Sequence, residues 1–253
     1  MMDQSGIVSG QIDLTQVRGF LFDMDGTLSD TDDHLIERIS RRLRLISWLW
    51  KDRDPRRFAR WFVMMAESPA NFLYSLADRM HLDVHLAKPY DWYSRRRHEK
   101  TPAHERFWIV PGVKAMLDQL KGRFPLAVVS ARDRNTTLHF LEHFDLMPYF
   151  EIVVTAQTCQ HTKPFPDPVI YAAKALGLEA EQCVMVGDTI VDVVAGRSAG
   201  AQTIAVLCGF GTQRELARAG ADLILSSTAD ITQLFDIDVR TSQVTQLSGF
   251  YWL

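Results

Sequence analysis

The chain has 253 residues, 47% apolar and 23% charged, with a net charge of −3 at pH 7; it can bury a substantial core, as one large domain or two modest ones, and its charge favours no particular class of partner. Three cysteines, Cys159, Cys183 and Cys208, are too few and too scattered for a disulfide framework or a zinc site, which suits a reducing cytoplasm; Cys183 and Cys208 are expected as core thiols. No basic-flanked apolar leader opens the chain and no run approaches the roughly 18 to 20 apolar residues of a membrane span, so neither a signal peptide nor a membrane partner is expected.

Residues 1–16 are polar and weakly patterned and read as a tail. Residues 17–22 form a short apolar run, the pattern of a buried strand, which ends in Asp23 and Asp25, then Gly26 and Thr27. A buried parallel strand delivers the side chains at its C-terminal end into the crevice where ligands bind. Two carboxylates so close repel unless a cation lies between them or one is protonated. The spacing therefore suits a hard-metal site, a nucleophile and acid pair, or both; an Asx-rich turn is the plainer alternative.

From residue 31 to about 108 the pattern is helical throughout, with Leu35, Ile36, Ile39, Leu43 and Ile46 opening the first stripe and Pro55 and Pro69 interrupting the series. Four or five helices are expected. This insert holds 16 of the 28 Lys and Arg and 11 of the 31 Asp and Glu, a net of +5 against −8 for the rest, which supports a separate module. Its acids are interspersed and its aromatics sit at core spacing, so a nucleic-acid surface is not expected.

From Pro111 strands and helices alternate. Helices are expected at 113–120, 135–144, 168–176, 190–199, 214–219 and 231–235, and strands at 124–129, 152–154, 183–186, 203–206 and 223–225. Alternation of this length means βαβ units and a parallel sheet. The fold expected is α/β: a Rossmann-like parallel sheet with helices on both faces, built from residues 1–30 and 109–253, with an all-helical cap at 31–108.

Asp23 and Asp25, Ser130, Lys163, and Asp188 with Asp192 all fall at the C-terminal ends of expected strands or in the loops beyond. Alone, each has an ordinary reading: a turn, a helix cap, a loop lysine, a surface acid. Together they supply a nucleophilic carboxylate, a hydroxyl donor, a fixed cation and a further acidic metal site, the parts that phosphoryl transfer requires. His139 and His143, four apart on one helix, are expected at the surface or partly buried rather than on a metal.

Four motifs in order resemble the haloacid dehalogenase superfamily, in its phosphoglycolate phosphatase-like branch with a helical C1-type cap. They are Asp23-Met24-Asp25-Gly26-Thr27-Leu28; Val128-Val129-Ser130; Lys163-Pro164 with Pro166-Asp167-Pro168; and Gly187-Asp188-Thr189 with Asp192. Cys208-Gly209-Phe210-Gly211 resembles a late segment of the same branch. The resemblance implies a Mg²⁺-dependent phosphomonoester phosphatase acting on a small phosphorylated metabolite through an aspartyl-phosphate. It makes Asp23 the nucleophile and a metal ligand, and Asp25 the general acid and base, with its backbone carbonyl on the metal. It places Ser130 and Lys163 on the phosphoryl oxygens, Asp188 on the metal, and Asp192 at the metal site, orienting a metal-bound water or Lys163. Thr27 is grouped with the phosphate-binding residues and is expected to bond within its loop. Arg132 stands where the family pattern is broken; it would clamp a phosphate or a substrate carboxylate, or else pair with Asp133 or another nearby acid. Magnesium suits an all-oxygen site better than zinc does. A monomer or homodimer in the cytoplasm is expected. The alternatives are a β-phosphoglucomutase-like phosphomutase using the same residues, and a non-catalytic binding or regulatory protein on this fold.

Overall fold

The computed structural model describes residues 7–30 and 108–235. The helical cap expected at 31–108, Trp108 apart, and the chain after residue 235 lie outside the described residues. By compactness the chain divides into residues 1–30 with 109–253, and residues 31–108.

Seven strands form one sheet: β1 (Ile7–Gly10), β2 (Gly19–Phe22), β3 (Leu126–Val129), β4 (Ile152–Val154), β5 (Cys183–Gly187), β6 (Gln202–Val206) and β7 (Leu223–Leu225). Their order is β1-β7-β6-β5-β2-β3-β4. Every pairing is parallel except β1 on β7. Five helices complete the described part: α1 (Val113–Leu120), α2 (Arg134–His143), α3 (Asp167–Ala175), α4 (Ile190–Ala199) and α5 (Gln213–Ala219). A 3-10 turn at Thr228–Thr232 precedes the last described residues.

β2 lies inside the sheet and all four of its residues are buried. Its side chains alternate between faces, as strand geometry requires. Leu21 belongs to a cluster of small and branched residues with Ala127, Val129, Met185 and, from α3 and α4, Val169, Ala172 and Ala195. Phe20 and Phe22 stack with ring centroids 6.1 Å apart; Phe20 also meets Phe124 at 5.2 Å and Phe22 meets Phe150 at 6.3 Å. Helix α4 approaches the sheet closely at Gly196, where a Cβ would lie 2.7 Å from Thr203 Cγ2 and 2.9 Å from Met185 Cβ.

Strand register sets the site. Phe22 pairs with Val128 of β3 on one side and Val186 of β5 on the other. Asp23, Ser130 and Asp188 therefore follow within two residues of one level across three adjacent strands. The Asp23 N–H still donates to the Val186 carbonyl at 2.8 Å, and the Ser130 N–H to the Val154 carbonyl at 2.9 Å. The two chain ends that flank the 31–108 segment also meet here: Ser29 and Ile109 form an isolated antiparallel bridge, and the Val110 N–H donates to the Leu28 carbonyl at 3.0 Å.

Two expectations need correction. The polar N-terminal tail contains β1, which pairs antiparallel with β7, Gly10 opposite Leu223. Four residues with a register irregularity are too short for a period to show in the sequence. The close approach needs glycine: Gly10 has φ +95°, and a Cβ there would lie 2.1 Å from the Asp222 carbonyl oxygen. Cys208 is only half-buried, and its thiol donates to the Gly26 carbonyl at 3.3 Å. Cys183 is a buried core thiol, and burial, with Glu181 adding, pushes it up to about 11. At pH 8 its thiolate fraction, and so its alkylation, should be on the order of a hundredfold below that of an ordinary cysteine. Iodoacetamide labelling followed by peptide mass spectrometry should find half-exposed Cys159 modified first and Cys183 only after unfolding.

Candidate active site

The site begins with a tight loop after β2. The N–H groups of Leu28 and Ser29 both donate to the Met24 carbonyl, at 2.9 and 2.8 Å, and the Gly26 N–H donates to the Ser29 carbonyl at 2.8 Å. Gly26 has φ +71°, and a Cβ there would lie 2.3 Å from Asp188 Oδ2. The loop thus turns away from the sheet while pressing its backbone against Asp188.

Lys163, 3% exposed, reaches into the middle of the site. Its Nζ donates to Asp23 Oδ1 and to Asp192 Oδ1, each at 2.6 Å. Burial works against its charge, but the carboxylates of Asp192 and Asp23 outweigh that and hold its proton far above the usual lysine range. Asp192 is itself fixed: its Oδ2 accepts from the Thr189 N–H at 3.0 Å and the Thr189 hydroxyl at 2.5 Å, closing a capping box at the start of α4. The described bonds therefore place Asp192 where it orients Lys163.

Burial pushes the Asp23 carboxyl up to about 7; Lys163 opposes this, while Asp192 and Asp25 add to it. Asp23, Asp188 and Asp192 are all buried, and each offers a carboxylate oxygen within 4.8 Å of the others. Among the contacts between described residues, three such carboxylates face one ammonium, that of Lys163, so negative charge outweighs positive in this cluster. This donor set, all hard oxygen and over-supplied with charge, fits a divalent cation such as Mg²⁺.

Asp188 is seated by a loop whose role was not legible in the sequence. The Phe210 N–H donates to Asp188 Oδ2 at 2.7 Å, and the Gly211 N–H to the Asp188 carbonyl at 3.0 Å. A Cβ on Gly209 would lie 2.0 Å from Asp188 Oδ2. The spacing Gly209-Phe210-Gly211 is the signal that backbone must come this close.

Ser130 is 4% exposed, and its Oγ accepts from the Arg132 N–H at 3.1 Å. An Oγ used as acceptor there keeps its own proton for donation elsewhere. Arg132 meets an acid, Asp25: its Nε donates to Asp25 Oδ2 at 2.5 Å. Asp133 caps α2 by accepting from the Thr136 N–H at 3.0 Å. Thr27 is fully buried; its carbonyl accepts from the Thr228 hydroxyl at 2.7 Å, and its Oγ1 has no hydrogen-bond partner among the described residues. The structure thus gathers Asp23, Lys163, Asp188 and Asp192 into one buried cluster, and joins Asp25 to Arg132 beside Ser130. His139 and His143 are exposed on α2, ring centroids 6.3 Å apart.

Comparison with known proteins agrees with this geometry. The profile of the haloacid dehalogenase-like hydrolases matches residues 20–206. The chain belongs to this family. It is therefore a hydrolase of the haloacid dehalogenase-like kind. It is 28% identical over 222 residues to the pyrophosphatase PpaX of Bacillus pumilus, an alignment covering 86% of this chain and 96% of that one. It is 28% identical over 233 residues to a phosphoglycolate phosphatase of Nitrosococcus oceani, covering 87% and 97%. Among solved structures it resembles one from Thermotoga maritima, described as a candidate β-phosphoglucomutase, with a TM-score of 0.60 at 25% identity over 87% of this chain and 99% of that one. Among the described residues no helix is long and apolar enough to cross a membrane.

Replacing Gly209 by Ala should force the buried Asp188 carboxylate out of place. Loss of a group that orients a metal ligand typically weakens metal binding or activity by about 10- to 100-fold. A divalent cation titrated into the protein should then half-saturate at a concentration raised to that degree, and the crowding of Asp188 should also lower the melting temperature of the chelated protein.

Proposed function

We propose that the protein is a Mg²⁺-dependent phosphomonoester phosphatase acting on a small phosphorylated metabolite through an aspartyl-phosphate on Asp23. The observation that carries this is the buried Asp23 carboxylate at the end of β2, held by Lys163 at 2.6 Å and placed against Asp188 and Asp192. A carboxylate so held is a positioned nucleophile, and the adjoining ammonium offsets the repulsion between it and a phosphate dianion.

In the first step an Asp23 oxygen bonds to phosphorus as the bond to the leaving oxygen breaks, and Asp25 gives that oxygen a proton. In the second, Asp25 takes a proton from water as the water attacks the acyl-phosphate, which releases inorganic phosphate and restores Asp23. Ser130, through its hydroxyl proton, and Lys163 hold the phosphoryl oxygens. Asp23, Asp188 and the Asp25 backbone carbonyl would hold the Mg²⁺, with Asp192 orienting Lys163 beside it; bound there, the ion would draw off charge developing on the phosphoryl group. The segment 31–108 leaves and rejoins the core at the paired residues Ser29 and Ile109, next to Asp25. We read it as a helical cap that selects the substrate.

The names of the relatives, a phosphoglycolate phosphatase and a pyrophosphatase, support a small anionic phosphate as substrate. The likeness to the candidate β-phosphoglucomutase favours a second reading, in which a sugar phosphate rather than water meets the same phosphoenzyme. Turnover in ¹⁸O-labelled water separates them: the phosphatase releases labelled inorganic phosphate stoichiometrically, whereas faster formation of an isomerised sugar phosphate would establish the mutase.

Asp23→Asn should lower turnover by three or more orders of magnitude, since covalent catalysis is lost outright. Retention of more than a few per cent of wild-type turnover would overturn the nucleophile assignment. Removing metal should have its own pH signature. An acid raised in the folded state keeps its proton there between about pH 4 and 7 while the unfolded chain has lost it, so stability falls as pH rises through that window. The melting temperature in chelator should therefore fall from pH 5 to pH 8, and Mg²⁺ should raise it more at pH 8 than at pH 5. Equal Mg²⁺ shifts at both pH values would contradict the charge argument.

A further inference from the structure

The contact between Arg132 and Asp25 carries a role beyond phosphate binding, and it rests on the phosphatase reading above. We infer that Arg132 is a positioning residue: it holds the Asp25 carboxyl in the orientation from which that group passes its proton to the leaving oxygen and later takes one from water.

The two residues are 107 apart in sequence, and Arg132 Nε donates to Asp25 Oδ2 at 2.5 Å with each side chain 23% exposed. The pair is half-buried: shielded enough for the contact to be defined, open enough for Asp25 to face a substrate. Both residues sit on fixed backbone. The Arg132 N–H donates to Ser130 Oγ at 3.1 Å, and its carbonyl accepts from the Ala156 N–H at 2.9 Å. One residue on, Asp133 caps α2. On the other side, Asp25 lies in the loop pinned by the Met24 and Ser29 carbonyls. With both backbones anchored, the side-chain contact constrains the direction of the carboxyl.

That direction matters because the terminal torsion of an aspartate is otherwise broad and nearly two-fold. A carboxyl gripped at Oδ2 presents Oδ1 along a set line. Proton transfer needs heavy atoms within about 2.6–3.2 Å, and small misplacements of a catalytic group cost rate steeply. A guanidinium is well suited to such a grip, because its Nε–H has a fixed direction in a rigid plane, whereas an ammonium is a rotating point charge. The same three-residue segment carries Ser130, so the hydroxyl offered to the phosphoryl group and the partner of the acid move together. Arg132 has two other readings: a clamp on substrate phosphate would raise KM, and a purely structural ion pair would leave kcat and KM unchanged in Arg132→Gln while lowering the melting temperature, which would overturn the inference.

The experiment compares wild type, Arg132→Gln, Arg132→Lys, Asp25→Asn and the double variant Asp25→Asn with Arg132→Gln. An alkyl phosphate, whose leaving oxygen needs a proton, is set against p-nitrophenyl phosphate, whose leaving group departs as the anion. General acid–base catalysis is worth about 10²- to 10⁴-fold, so imperfect positioning should lower kcat on the alkyl phosphate by roughly tenfold or more in Arg132→Gln. KM should stay within about threefold, because uniform binding is not what is lost. The pre-steady-state burst of nitrophenolate should be affected less. Arg132→Lys keeps the charge but not the fixed donor direction, and should remain impaired in kcat. In the Asp25→Asn background, adding Arg132→Gln should change kcat by no more than about twofold, since a residue that acts through another has nothing left to act on.

A rise in KM with kcat unchanged in Arg132→Gln would overturn the inference in favour of a substrate clamp. Multiplying losses in the double variant, or full recovery by Arg132→Lys, would overturn it as well. Asp25→Asn with wild-type turnover would overturn the acid–base reading of Asp25 and this inference with it. An impaired Asp25→Asn beside an Arg132→Gln altered only in KM would overturn the inference alone.

Discussion

The site depends on one buried ammonium. Lys163 lies 2.6 Å from both Asp23 and Asp192, and all three side chains are removed from water. Removing one partner from such a cluster is typically costly by about 3–5 kcal/mol, because it strands an uncompensated charge. The arrangement is therefore all or nothing, and its parts come from three places: the end of β2, the loop before α3 and the first turn of α4. The capping box at Thr189 ties the third part to the helix start, so the same Asp192 that caps the first turn of α4 also aims Lys163. Helix initiation and the electrostatics of the site are one structural feature.

Register supplies the remaining precision. Val128, Phe22 and Val186 stand level on adjacent strands, so the chain need travel only one or two residues beyond each to deliver Asp23, Ser130 and Asp188. A one-residue slip in any of these strands would turn its site residue toward the opposite face of the sheet. The apolar alternation that buries Leu21 on one face and Phe20 and Phe22 on the other guards against that slip. Core packing and placement of the catalytic groups are thus decided by the same side chains.

Much of this was legible in the sequence because local signals were strong. Helix α4 runs over Ile190–Ala199 as its periodicity and Gly200 predict, and α1 and β7 match to the residue. β3 begins at Leu126 rather than at 124: Pro125 has no N–H to give the ladder, although its carbonyl accepts from the Phe20 N–H. β1 was missed because four residues on a sheet edge carry no period. At the site, carboxylates at strand ends announced themselves by type and position. Two features did not. Arg132 finds Asp25 across 107 residues, a pairing no local pattern encodes. The Gly209–Gly211 loop seats Asp188 through backbone N–H groups, which every residue but proline has, so only the glycine spacing hinted at it.

The central claim is that phosphorus becomes bonded to Asp23. Mixing the enzyme with Mg²⁺ and a small phosphate ester, quenching in acid within milliseconds and mapping the peptides by mass spectrometry tests it directly. The account predicts a transient acyl-phosphate on the peptide containing Asp23, at a level that rises and falls with turnover. Rapid release of inorganic phosphate with no phosphorylated Asp23 at any quench time, or with the phosphoryl group on another residue, would contradict it.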